Sequence, residues 1–208
     1  LYRRFALKKA ILDIPNGRSS HNSPTPSGGG MAIVLTFYLG ILFLLYRDAI
    51  DPKLFYALLP GILLLIVGLI DDLFCLKPIF RIGIHTLVSI SAFLILGGLN
   101  QLDLGFAVIN NTVVLTIIGA FGFVWFINLY NFLDGIDGYA TIQAIFVGLA
   151  FYIFTWSIVA LILSIATLGF LPWNWQKAKI FMGDVGSTLL GFVIAVLGIY
   201  YQNQESLS

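Results

Sequence analysis

The sequence predicts an all-α, polytopic transmembrane helical bundle of about seven spans, a single integral membrane domain over residues 1–208, and three observations predict it. Hydrophobic residues make up 59% of the chain and charged residues only 10%, whereas a soluble domain carries about 25% charged residues to cover its core. Mean hydropathy is +0.97. The apolar residues fall in stretches close to the ~20 residues that cross a hydrocarbon core. Net charge is +1, which exerts no bulk attraction on nucleic acid, and no nucleic-acid partner is expected. The single cysteine, Cys75, excludes an internal disulfide framework and a Cys-rich metal site.

In chain order the stretches lie near 31–46, 54–70, 82–98, 112–133, 139–155, 157–171 and 187–201. Several are short for a span. Residues 139–171 as one helix would extend ~50 Å, far beyond a hydrocarbon core of ~30 Å, so two short spans turning at 156–157 fit better. Seven spans put Arg3, Arg4, Lys8, Lys9, Arg18, Lys77, Arg81, Lys177 and Lys179 on one side, against Arg47 and Lys53 on the other. Basic residues mark the cytoplasmic side of short loops, so the first set is placed in the cytoplasm. Trp125, Trp156, Trp173 and Trp175 lie near span ends, where aromatic belts form. The chain opens on Leu1 with basic residues close behind and no signal-peptide pattern. It is expected to be a piece lacking a first span.

This topology gathers Asp13, Asp71, Asp72, Asp134, Asp137 and Asp184 at the cytoplasmic face and leaves Asp48, Asp51, Asp103 and Glu205 outside. The first motif is GLIDDLFCLKPIFR, residues 68–81. Adjacent carboxylates at a helix end repel one another and lose hydration near lipid, penalties that a divalent cation relieves. Magnesium takes one or two carboxylates and completes its shell with phosphate oxygens and water. Lys77 and Arg81 would offset phosphate charge nearby. A solvated loop with a topology-setting basic pair explains the segment equally well.

The second motif, NLYNFLDGIDGYA at 128–140, sets Asn128 and Asn131 three apart on one helix face. Asp134 and Asp137 each precede a glycine, which permits close backbone approach to a ligand. They suit a metal or a nucleotide, or the polar caps of a helix-ending turn. The third is NWQKAKIFMGDVGS at 174–187. Asp184 stands just ahead of a helix expected near Ser187, which either residue would cap, and a helix N-terminus also attracts phosphate. Phe181 suits base stacking or plain packing. The fourth is DIPNGRSSHNSPTPSGGG at 13–30, a loop whose Arg18, Ser19, Ser20, His21 and Thr25 offer donors to an anion. His85 and Cys75 are expected to be ordinary, the histidine satisfied by a neighbouring helix or backbone.

In this order and spacing the four motifs resemble the polyprenyl-phosphate N-acetylhexosamine-1-phosphate transferases (glycosyltransferase family 4), which include the phospho-MurNAc-pentapeptide translocase. The likeness runs from about Asp13 to about Tyr201, and DIPNGRSSH with PTPSGGG is most similar to the branch that initiates O-antigen. The resemblance implies that a polyprenyl (undecaprenyl) phosphate attacks the β-phosphorus of a UDP-N-acetyl sugar at the cytoplasmic face of the inner membrane and that UMP leaves, with magnesium as cofactor and manganese as its substitute. It implies that Asp71 and Asp72 are catalytic and that Asp72 and Asp184 hold the metal. It places Asn128, Asn131, Asp134, Asp137, Asn174 and Phe181 at the nucleotide, while Arg18, His21, Thr25, Lys77 and Arg81 are expected at phosphate from their own chemistry and position. A homodimer in the bilayer is also implied.

Two departures stand out. Ser27 occupies a position that is often basic or bulky, and a late histidine-bearing loop has no counterpart before Ser208. A membrane transporter and an inactive truncated member are the rival expectations; acidic residues near the bilayer midplane would favour transport.

Overall fold

The computed structural model of the chain describes Arg3, Ala6, residues 12–15, 23–74 and 76–204. Arg18, His21 and Cys75 lie outside the described residues. Helices α1 (Met31–Tyr46), α2 (Pro52–Leu58), α3 (Gly61–Phe74), α4 (Pro78–Ile95), α5 (Thr112–Leu133), α6 (Tyr139–Thr155), α7 (Ile158–Asn174) and α8 (Gly183–Asn203) follow the expected apolar stretches. Helices α4, α5, α8 and the joined segment Pro52–Asp72 are long and apolar enough to cross a membrane, and α1, α6 and α7 are shorter apolar helices. Large side chains such as Leu39, Leu94, Phe121, Phe146 and Phe154 stand outward and exposed. A belt of that size is incompatible with water and suited to lipid, so the chain is an integral membrane protein with a polytopic helical fold.

The second expected span is broken into two helices. Pro60 offers no N–H and cannot continue α2 regularly. Ile62 instead donates to the carbonyl of Leu59 at 3.0 Å, and Leu63 to that of Pro60 at 3.0 Å. That shift frees the Leu58 carbonyl, and Tyr38 Oη donates to it at 2.9 Å from α1. Farther along, the turn expected at 156–157 is present. Trp156 adopts φ +54° and closes α6, and Ser157 caps α7 by accepting from the Ala160 amide at 3.2 Å. Trp173 and Trp175 stand exposed at the end of α7 and Trp156 at the end of α6. Trp125 departs from expectation, sitting inside α5 and stacked on Phe121 with ring centroids 6.2 Å apart.

Helix α8 is the centre of the bundle. It buries 72% of its span against 17% for α5, and it packs on α3 and α5 while α6 pairs with α7 and α1 leans on α7. Its start corrects the expected boundary near Ser187: the helix begins at Gly183, so Asp184 lies in its first turn and neither residue forms a side-chain cap. The contact of α3 with α8 is made backbone to backbone. A Cβ on Gly68 would lie 2.6 Å from the Val185 nitrogen and 2.7 Å from its Cα. Small residues allow such approach between helices in lipid, and here the approach brings the end of α3, with Asp71 and Asp72, to the start of α8.

The polar loop before α1 is ordered where described. Strands β1 (Leu12–Asp13) and β2 (Thr25–Pro26) pair antiparallel, and the Phe181 amide then donates to the Pro26 carbonyl at 2.8 Å. Gly29 and Gly30 amides return bonds to the carbonyls of Phe181 and Met182 at 2.9 and 2.8 Å. The loop entering α1 is thereby tied to the loop entering α8. On the opposite end of the bundle, β3 (Leu102–Asp103) and β4 (Val108–Ile109) form a second short hairpin, and Tyr200 donates to Asp51 at 2.7 Å.

Candidate functional site

Four helix ends meet at the face where the acidic motifs were expected to gather. Arg81, in the first turns of α4, forms ion pairs with Asp71 of α3 at 3.2 Å and with Asp184 of α8. It also donates to Asn131 Oδ1 of α5 at 2.8 Å. Asn131 in turn donates to Asp184 Oδ1 at 2.8 Å and to Ser187 Oγ at 3.0 Å. Three motifs far apart in sequence thus close into one network. The hydroxyl of Ser187 extends it, a member that its expected role as a cap had hidden.

The two adjacent aspartates differ in what they have left to offer. Asp71 spends Oδ2 on Arg81 and Oδ1 on the Leu76 amide at 2.7 Å, which fixes the chain as it leaves α3. Asp72 Oδ2 is buried without a hydrogen-bond partner. A buried carboxylate oxygen in that condition is costly. It faces the start of α8: a Cβ on Gly183 would lie 2.7 Å from Asp72 Oδ2 and 2.8 Å from Ser27 Oγ. Ser27 therefore stands beside the carboxylate with capacity to spare. Among the described residues no three Asp, Glu, His or Cys side chains converge as a closed metal cage. A cation of the other kind takes one or two carboxylates and draws the rest of its shell from phosphate and water, and Asp72 and Asp184 are the residues that could hold one.

Asp134 closes α5 next to this network. Burial and the neighbouring Asp184 carboxylate hold its acid well above the usual carboxylate range, against the opposing pull of the Gly183 amide. Lys77 is exposed at the N-cap of α4, just ahead of Arg81. Asn128, one turn deeper in α5 than Asn131, belongs to a different contact. Its amide donates to the Val124 carbonyl at 2.8 Å and its oxygen meets His85 Nδ1 at 3.2 Å. That contact also gives His85 the neighbouring-helix partner expected of it.

Beside the network opens a cleft of about 740 Å³, whose walls include Thr25, Asp137, Lys177 and Phe181. Its volume is in the range of small-molecule sites, ~300–1,000 Å³. Phe181 leads through Met182 and Gly183 directly to Asp184, so cleft and network share one segment of chain. Asp137 holds the wall by accepting from the Ala178 amide at 3.0 Å, and Thr25 donates to the Ser23 carbonyl at 3.0 Å. Lys177, which had served only to orient the spans, adopts φ +60° at the rim.

Asn174 supports this wall from within. It is 2% exposed, accepts from Thr141 Oγ1 at 2.6 Å and the Gly138 amide at 3.2 Å, and donates to the Ile180 carbonyl at 3.4 Å. One side chain thus joins the start of α6 and the end of α7 to the Phe181 loop. Asn174→Ala leaves Thr141 and Gly138 with buried unpaired groups, a loss of about 1–3 kcal/mol. The expected result is a drop of several degrees in the melting temperature of the detergent-solubilised chain, about 2–4 °C per kcal/mol at this size.

The fold and site define an integral membrane protein whose carboxylates, amides and bridging Arg81 cluster at one end of a helical bundle, next to a cleft of small-molecule size. Comparison with known proteins names the family. The profile of glycosyl transferase family 4 matches residues 54–202, and the chain belongs to that family, as its four motifs had indicated. It is 31% identical over 205 residues to the undecaprenyl-phosphate alpha-N-acetylglucosaminyl 1-phosphate transferase of Thermotoga maritima, covering 95% of this chain and 59% of the relative. The corresponding enzyme of Yersinia pestis is 32% identical over 213 residues, 91% of this chain and 55% of the relative. A phospho-N-acetylmuramoyl-pentapeptide-transferase of Streptococcus thermophilus is 29% identical, covering 84% and 58%. The chain thus spans a little over half the length of these relatives.

Proposed function

We propose that the protein transfers an N-acetylamino-sugar 1-phosphate from a UDP-N-acetyl sugar to a polyprenyl phosphate of the undecaprenyl type, releasing UMP at the cytoplasmic face of the inner membrane. The reaction would be the first membrane step of a cell-surface polysaccharide pathway, O-antigen in the simplest reading. One observation carries this: the buried, unpartnered oxygen of Asp72 lies by the start of α8, where Asp184 is tied to Arg81 and Asn131, and a cleft containing Phe181 opens on the same segment. The names of the relatives agree with it.

Phosphoryl transfer asks a protein mainly to position its reactants and to neutralise spread negative charge. In this reading Phe181 and Asp137 seat the nucleotide in the cleft, which sets the diphosphate over the segment 182–184. Lys177 at the rim and Lys77 near the network supply positive charge to phosphate oxygens. Magnesium, or manganese in its place, held by Asp72 and Asp184, would polarise the β-phosphorus and stabilise departing UMP. The lipid phosphate reaches the network from the bilayer, past Phe74, Ile79, Phe80 and Phe132, which are all exposed around it. Asp72 rather than Asp71 is the carboxylate with an oxygen to give, either to a cation or to the proton of an incoming phosphate. Convergence of the acidic groups at one end of the bundle, away from the midplane, weighs against transport.

The test is UMP release in proteoliposomes supplied with polyprenyl phosphate, magnesium and a panel of UDP-N-acetyl sugars. Release that needs both lipid phosphate and magnesium is the expected result; silence across the panel would defeat the reading. A narrower test addresses the cleft. Stacking on an aromatic side chain is worth ~1–3 kcal/mol per base, so Phe181→Ala is expected to raise KM for the UDP-sugar roughly tenfold with a smaller effect on kcat. An unchanged KM would remove Phe181 from the nucleotide site.

A further inference from the structure

Arg81 had been assigned to phosphate from its position, but the structure commits it elsewhere. Both ion pairs among the described residues are Arg81's, one to Asp71 and one to Asp184. Its second nitrogen also bonds Asn131 at 2.8 Å, and Asn131 holds the other Asp184 oxygen at 2.8 Å. The guanidinium fork therefore spans α3, α5 and α8 at one point. Arginine suits this role because its planar donors match carboxylates in two directions at once and it keeps its charge. Carboxylates in the same neighbourhood, from Asp71, Asp72, Asp134 and Asp184, share this one paired cation.

We propose that Arg81 is a tethered counter-cation that a divalent metal must displace from Asp184, so that metal binding releases the guanidinium toward the incoming phosphate. The inference rests on the reading of Asp184 as a cation ligand. A metal on Asp184 would repel the guanidinium already at Oδ2, because like charges in a partly buried site repel strongly. Asp72, whose Oδ2 has no partner, gives the metal a foothold that Arg81 does not contest. Arg81 then holds two carboxylates in the resting protein, Asp71 and Asp184, and in the loaded one exchanges Asp184 for a phosphate. Tethering sets a threshold on metal binding and discourages a metal from settling before the anionic substrate arrives to take the arginine.

The experiment is a manganese titration of the purified chain in detergent without substrate, followed by electron paramagnetic resonance, comparing wild type, Arg81→Gln, Arg81→Lys and Asp184→Asn. Removing a competing ligand commonly changes affinity 5–150-fold. Arg81→Gln is expected to bind manganese at least about tenfold more tightly than wild type, with Arg81→Lys between the two. Unchanged or weaker binding by Arg81→Gln overturns the proposal. If wild type binds manganese and Asp184→Asn does not, while Arg81→Gln gains nothing, the ligand reading stands and the counter-cation role falls. If none of the four proteins binds manganese, both fall. Should Arg81→Gln fail to fold without metal, Arg81→Lys keeps one charge but loses the fork, and tighter binding than wild type is still expected of it.

Discussion

Asp184→Asn is expected to abolish magnesium-dependent turnover while leaving the protein folded and inserted. The substitution keeps the shape of the side chain and its contact with Asn131, but it removes the charge that binds Arg81 and that a divalent cation would need. A cation or donor that stabilises charge only in the transition state is worth roughly 100-fold or more in rate, and here the change also frees Arg81 from one of its two carboxylates. The expected loss is therefore at least about 100-fold in kcat, with a melting temperature near that of wild type in the absence of metal. Retained turnover with an ordinary magnesium dependence would contradict the assignment of Asp184.

The second large effect concerns packing rather than chemistry. Gly68→Ala places a methyl group 2.6 Å from the Val185 nitrogen and 3.0 Å from the Asp184 carbonyl carbon. Neither is the end of a flexible side chain, so α3 and α8 must separate. Overpacking of this kind costs about 1–3 kcal/mol. The distinctive outcome is functional: the separation carries Asp71 and Asp72 away from Asp184, and activity is expected to fall about tenfold or more even at temperatures where the variant is fully folded. Gly169→Ala is the control. A Cβ there meets nothing within 4 Å, and replacing a helical glycine on an open face is expected to be neutral or stabilising by up to about 1 kcal/mol. Equal activity for the two variants would show that the α3–α8 contact does not set the site.

The different legibility of these two effects follows from what each depends on. Asp184 stood out in the sequence because a carboxylate against apolar residues needs a reason. Gly68 did not, since glycine in an apolar stretch reads the same whether it touches a backbone or open lipid, as Gly68 and Gly169 do here. The spans themselves were readable because a membrane imposes length and apolarity. The bounds 31–46, 112–133 and 139–155 agree with α1, α5 and α6. Span 54–70 broke at Pro60, and the start of α8 moved back to Gly183, because hydropathy does not see a helix whose first turn is Gly-Asp-Val-Gly.

Within the site, spacing placed residues on faces but not at depths. Asn128 and Asn131 share a side of α5 as their spacing implied, yet three residues advance a helix by ~4.5 Å. That depth hands Asn131 to the carboxylates and Asn128 to His85. The role of Asn174 as an internal tie depended on which loops meet, which no local pattern records. Arg81 was legible as a cation near acids, and only the fold could show that it joins three helices.

The measurement that bears most directly on the proposed chemistry follows the β-phosphate. The chain in proteoliposomes, with magnesium and polyprenyl phosphate, is given a UDP-N-acetyl sugar labelled at the β-phosphorus, and the label is traced after extraction. Phosphosugar transfer puts the label in the lipid fraction, with UMP formed in equal amount, and that is the expected result. Label left in the water phase as UDP, with unlabelled sugar on the lipid, would mean ordinary glycosyl transfer and would contradict the account.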